Sequence, residues 1–365
     1  MGRFARAARE WPLLAAFVTA AAFAWRGERW LAELANVGWF AFMLAWLFAI
    51  ILLCAFAVVR HAEALAARVG EPYGTLVLTV SMSGMEMMMI AAVMYAGGGS
   101  ALGRDTMFAI LMIVLNGLVG TCLLAGGLRY HEQSYNLYGA NAFLALIVPL
   151  SVLGLVLPTF TLTSPGPAAS PLHAAFLVVM SIALYGIFLG VQTTRHREYF
   201  IHPEPDDALE HTHDGGSLRS HAALLILYAL PIVYLSKQIA VPIGYATEKL
   251  DAPAALGGLL VAILILSPES LAAVRAALAN RLQRSINVAL GTALSSISLT
   301  IPAVLTIGYL AERTIILGLE PASMVLLVLT FAVSMLTFAL ERTNVLLGAV
   351  HLLLFLAYLM LLFEP

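Results

Sequence analysis

Apolar residues come in long runs separated by short polar breaks, at residues 11–25, 37–59, 74–96, 106–127, 141–160, 172–194, 221–239, 253–274, 286–310, 319–340 and 344–363. A helix needs about 20 predominantly apolar residues to cross a bilayer, so the pattern predicts eleven spans and an all-α polytopic membrane protein. One polar connection is long, residues 195–220, RHREYFIHPEPDDALEHTHDGGSLRS. Counted from residue 37, five spans precede it and five follow. The expected organisation is an N-terminal span and loop at 1–36, a first five-helix repeat at 37–194, a linker at 195–220 and a second five-helix repeat at 221–365. Five is odd, so two such repeats would be inverted relative to one another, as in many secondary transporters.

Charge adds direction. With the N-terminus inside, Arg3, Arg6, Arg9, Arg60, Arg68, Arg129, Arg195, Arg197, Arg219, Arg275, Arg281, Arg284 and Arg342 fall on the cytoplasmic side, against Arg26, Arg29, Arg104, Lys249 and Arg313 outside. The positive-inside rule then places the N-terminus in the cytoplasm and the C-terminus on the far side. Arg3, Arg6 and Arg9 before an apolar run imitate a secretory signal, but no small-residue cleavage site follows Trp25, so the run reads as a first span. Hydrophobic residues make up 61% of the 365 and charged residues 11%, and the net charge is −2, which leaves no basic surface for nucleic acid. Cys54 and Cys122 lie inside apolar runs without metal-ligand spacing and read as packing residues.

Two spans carry a carboxylate at membrane depth. Glu86 sits midway along GTLVLTVSMSGMEMMMIAAVMYA, and Glu269 lies deep in the eighth run. A charge at the centre of a spanning helix costs about 2.5–3.5 kcal/mol on insertion scales and usually faces a cavity or a partner. A carboxylate paired to lock two helices is the alternative reading of either one alone. The following spans align: RDTMFAILMIVLNGLVGTCLLAGG from Arg104 lies over RSINVALGTALSSISLTIPAVLTI from Arg284 at an offset of 180, which sets Asn116 on Ser296. Glu86 and Glu269 differ by 183, so each half offers a carboxylate and, a helix later, a small polar side chain.

Gly84 and Pro268 stand beside the carboxylates and weaken helical hydrogen bonding there, which frees carbonyl oxygens. An oxygen-rich site suits hard cations. Two ionised carboxylates in a low dielectric must be neutralised by a cation or by protons. If only neutralised forms change access, the outcome is obligatory exchange. Candidate ligands are Glu86 and Glu269, with Asn116, Ser296, Ser83 and Ser295 as neutral oxygens.

The segments 70–90, 104–120 and 267–302 resemble the cation/Ca²⁺ exchanger superfamily, and within it the bacterial ChaA-type Ca²⁺(Na⁺)/H⁺ antiporters. The resemblance covers the ten-span body. It implies one extra span plus two inverted five-span halves joined by an acidic cytoplasmic loop, in a bacterial inner membrane. It also implies that Glu86, Glu269, Asn116 and Ser296 hold the ions, that Ca²⁺ (or Na⁺ or K⁺) is exported against H⁺, and that no cofactor is required. The chain has Met82-Ser83-Gly84-Met85-Glu86 where the vacuolar proton-coupled branch has Gly-Asn-x-x-Glu in its first repeat, and Leu266-Ser267-Pro268-Glu269-Ser270 near where that branch has Gly-Asn-x-x-Glu-His in its second, departures that bear on ion selectivity.

Other features allow rival readings. Met82, Met85, Met87, Met88, Met89 and Met94 surround Glu86 and, with the histidines of the linker, would suit a soft- or transition-metal exporter, although gap-filling methionines explain them too. In the linker, Glu204, Asp206, Asp207, Glu210, His211, His213 and Asp214 form either a solvated connection or a regulatory patch sensing cations or pH. Lys237 is expected to end the seventh span, and Glu341, Arg342 and His351 to lie at or near the ends of the last two. The H-E-x-x-H signature of a membrane metalloprotease is absent, which argues against an enzyme. Partners are the bilayer, inorganic cations and protons. Oligomeric state, homo-oligomers included, is left open.

Overall fold

In a computed structural model of the chain, which describes residues 9–70, 73–96, 99–162, 166–200, 217–250 and 252–364, the described residues include eleven helices of 17 residues or more. These are α1 Trp11–Ala32, α2 Val37–Val69, α3 Tyr73–Tyr95, α4 Leu102–Tyr130, α5 Leu137–Phe160, α6 Pro171–Arg195, α7 Leu218–Lys249, α8 Ala255–Leu278, α9 Leu282–Leu310, α10 Pro321–Thr337 and α11 Val345–Phe363. Nine are long and apolar enough to cross a membrane; α1, which carries Arg26, Glu28 and Arg29, and the 17-residue α10 fall outside that group. The starts are written in the sequence. Asn36, Asn136, Ser170, Ser217 and Asn344 each precede a helix and accept from a backbone N–H of its first turn.

Helices outrun the apolar stretches that announce them. α7 continues from the expected end near Lys237 to Lys249, so Lys237 is an exposed residue inside a helix rather than its terminus. Backbone hydrogen bonding persists through Gln238, Thr247 and Glu248 because a polar side chain ends hydropathy without ending a helix.

The chain forms two compact units, Met1–Gly99 with Asp207–Pro268, and Ser100–Asp206 with Glu269–Pro365. In the first, α7 lies against α2, α3 and α1. Tyr228, Ile232, Leu235 and Ile239, spaced four, three and four apart, form its buried stripe. The end of α2 and the start of α3 approach closely. Gly70 adopts φ +74, and a Cβ on Gly74 would stand 2.5 Å from the Ala66 carbonyl oxygen. Where α1, α2 and α7 meet, Glu10 accepts from Arg60 at 2.6 Å and from the Tyr228 hydroxyl at 2.7 Å, and lies 3.2 Å from His61. His61 in turn meets His221, Nδ1 to Nδ1, at 2.9 Å.

In the second unit α9 runs against α4, α5 and α6, and α11 against α4. Residues Gln133–Ser134 (β1) pair antiparallel with Arg342–Thr343 (β2), so the polar point before α11 carries a short strand pair. The linker begins as an ordered chain, with Phe200 among Phe143 and Phe188 and its carbonyl accepting from Asn287 at 2.6 Å. Its acidic and histidine residues, Glu204, Asp206, Asp207, Glu210, His211, His213 and Asp214, lie outside the described residues. The cysteines, free and buried, are packing residues.

Candidate functional site

In the first unit, Glu86 lies on the inner side of α3 with 3% of its surface exposed, and Ser83, one turn before it, is buried as well. Met82, Met85 and Met89 share that side, whereas Met88 is 40% exposed. The methionines therefore divide between a buried stripe and an outer face. Among the described residues no three His, Cys, Asp or Glu side chains converge as metal ligands.

The second unit holds the other candidates. Glu269 stands in α8 directly after Pro268, which has no N–H and leaves the Leu264 carbonyl without its usual helical donor. The neighbouring Ser267 hydroxyl donates to the Ile263 carbonyl at 2.5 Å. Despite the proline, α8 stays helical through this point. Glu269 Oε2 accepts a short hydrogen bond from the Thr292 hydroxyl of α9. Ser295 and Ser296 follow Thr292 by one turn and are buried, and the Ser295 hydroxyl donates to the Thr292 carbonyl at 3.1 Å. Thr292 falls three and four residues before the two serines on the same helix, so the spacing that singled them out also points to it.

Asn116 belongs to a π-helical stretch, Ile113–Leu118, inside α4. There the Val119 N–H bonds the carbonyls of Val114 and Asn116 rather than that of Leu115. Insertions of this kind recur at functional positions. The Asn116 amide nitrogen donates to Thr330 Oγ1 at 2.8 Å, and its Oδ1 lies 3.3 Å from His351 Nδ1. His351 Nε2 is 3.0 Å from Thr337 Oγ1. His351 is thus not near a span end but two turns inside α11 and fully buried. The sequence alone gives Thr330 no prominence and sets His351 only near a span end, because their partners are 214 and 235 residues away along the chain.

Close backbone approach makes this cluster. A Cβ on Gly348 would stand 2.5 Å from the Leu124 nitrogen, and one on Gly120 2.9 Å from the Leu352 nitrogen. Glycine at both positions lets α4 and α11 touch through their main chains, the small-residue contact of membrane helices. One turn away on each helix stand Asn116 and His351. Between spans, the Tyr135 hydroxyl donates to the carbonyls of Thr337 and Leu340 at 3.0 and 2.7 Å, which fixes the end of α10; burial pushes this phenol up from its ordinary range.

Comparison with known proteins gives a consistent answer. The y4hA protein of Sinorhizobium fredii, provisionally named an ionic transporter, is 42% identical over 309 residues, 84% of each chain. The sodium-potassium/proton antiporter ChaA of Escherichia coli is 37% identical over 319 residues, 86% of each. Among solved structures, the Ca²⁺/H⁺ antiporter YfkE has the same fold at 18% identity, with a TM-score of 0.71 over 96% of this chain and 99% of that one. The H⁺/Ca²⁺ exchanger CAX follows at 14% identity, a TM-score of 0.64, and coverage of 95% and 89%. The sodium/calcium exchanger protein family matches residues 39–194 and 221–364, on either side of the linker, and with that match over most of its length the chain is a member of this family of membrane exchangers.

Proposed function

We propose that the protein is an antiporter of a bacterial inner membrane that expels a hard cation, Ca²⁺ or else Na⁺ or K⁺, in exchange for protons. As an exchanger it is a transporter and not an enzyme. The observation that carries the reading is a carboxylate at membrane depth in each of the two family-matched segments: Glu86, buried in α3, and Glu269, bonded to Thr292. The relative ChaA, a sodium-potassium/proton antiporter, supports exchange of monovalent cations for protons; the two structural neighbours support Ca²⁺ as the cargo.

In this reading the repeats 37–194 and 221–365 are inverted halves, the N-terminus is cytoplasmic, and Glu86 and Glu269, each near the depth of the midplane, are the groups for which protons and cation compete. Asn116, Ser296, Ser83 and Ser295 supply neutral oxygens. Ca²⁺ takes 6–8 oxygen ligands, which two carboxylates and a few neutral oxygens can provide. The Thr292 hydroxyl donates to Oε2 and orients the Glu269 carboxyl, so the other oxygen can take either a proton or the cation. Each ligand displaces the other, and the protein changes access only with the pair neutralised. The transported ions are the only small species required.

The test is cation-driven collapse of an imposed proton gradient in inverted vesicles. Exchange is lost in Glu86→Gln and in Glu269→Gln; wild-type exchange in both variants overturns the reading. Replacement of Met82, Met85 and Met89 by leucine leaves exchange in place, whereas its loss would favour a soft-metal exporter.

A further inference from the structure

The nineteen residues of α11 are apolar except for His351 and Tyr358. A fully buried histidine in such a helix must have its ring nitrogens bonded. Asn116 Oδ1 carries no hydrogen, so the His351 Nδ1 that faces it at 3.3 Å must be the donor. In the neutral ring Nε2 then accepts, and the hydroxyl that faces it at 3.0 Å, Thr337 Oγ1, can donate. The Asn116 amide nitrogen donates onward to Thr330 Oγ1 at 2.8 Å.

These bonds run one way: Thr337 to His351 to Asn116 to Thr330. With the ring in this tautomer, reversing the amide would set its NH₂ against the His351 N–H, whereas the Thr330 hydroxyl, which donates as well as accepts, suits either direction. The chain ties α10, α11 and α4 together around one carboxamide.

From this arrangement we infer that His351 is a positioning residue for cation selection: it holds the Asn116 carboxamide with one lone pair of Oδ1 engaged and the other available to a hard, oxygen-seeking cation. The inference rests on the proposed role of Asn116 as a neutral ligand. An unheld amide can turn its NH₂ toward the cation, which repels it. A residue that only filled space would do none of this.

The experiment measures exchange in inverted vesicles against cation concentration for His351→Leu, His351→Asn and Asn116→Ala, with the amount of folded protein checked by size-exclusion chromatography. His351→Leu raises the cation concentration for half-maximal exchange about tenfold, the effect of one lost hydrogen bond, and keeps the maximal rate. His351→Asn, whose amide can donate where Nδ1 did, recovers most of the affinity. In the Asn116→Ala background His351→Leu adds little. A fall in maximal rate or folded yield with unchanged half-maximal concentration, or no rescue by asparagine, overturns the inference. Wild-type cation dependence in Asn116→Ala instead removes the ligand role of Asn116, and the inference falls with it.

Discussion

Replacing Gly348 by alanine tests the contact that assembles the second unit. The new Cβ would stand 2.5 Å from the Leu124 nitrogen and 2.9 Å from the Gly120 oxygen. Both are main-chain atoms, so no rotamer change relieves the contact. Ordinary contact begins near 3.4 Å, so α4 and α11 must separate by about 0.9 Å. Overpacking of this kind costs about 1–3 kcal/mol. The His351–Asn116 distance would grow from 3.3 Å to about 4.2 Å, beyond hydrogen bonding, at a further cost of about 1 kcal/mol. The total of about 2–4 kcal/mol corresponds to a folding equilibrium roughly 30- to 1,000-fold less favourable. SDS titration of the purified protein in mixed micelles, followed by helical circular dichroism, reads this as unfolding at lower SDS. Gly186→Ala is the control, because a Cβ there meets nothing within 4 Å. Should Gly348→Ala unfold with the wild type, the argument from close backbone contact is refuted.

Thr292→Val keeps the shape of its side chain and removes the donor to Glu269; at about 1.5–3 kcal/mol for a bond to a charged group, the half-maximal cation concentration rises by about tenfold or more in the vesicle assay. Tyr135→Phe removes the donor to two carbonyls and lowers stability by about 1–2 kcal/mol near neutral pH. Because burial raises the folded-state value of this phenol above the unfolded one, its contribution is whole below about pH 10 and declines as pH rises past it, so wild type and variant converge in alkaline SDS titrations. Glu10→Gln leaves Arg60 and His61 without their carboxylate and loosens the junction of α1, α2 and α7; a melting temperature equal to the wild type would contradict this.

Much of the fold was legible because the membrane imposes a coarse rule: apolar runs of sufficient length become helices. Asparagine and serine caps stand where several of them start, a signal that hydropathy alone does not use. The ends were less legible, as α7 shows, since a polar side chain does not break backbone bonding. The two-residue strands were hidden because each depends on a partner about 210 residues distant. Glu86 and Glu269 stood out because a carboxylate in an apolar run is costly wherever the chain folds it. Thr292 was within reach of helical spacing. Thr330 and His351 were not, because their importance comes from the glycine contact that brings α11 onto α4, and a glycine in a membrane helix does not say which helix it meets.

The central claim is that protons and cation compete for Glu86 and Glu269. Its most direct test is exchange by purified protein in liposomes, with Ca²⁺, Na⁺ or K⁺ varied at several proton concentrations. The account predicts that raising the proton concentration on the cation side increases the half-maximal cation concentration without lowering the maximal rate, and that Glu86→Gln and Glu269→Gln each abolish exchange. A half-maximal cation concentration independent of pH, or exchange that survives both substitutions, would contradict it.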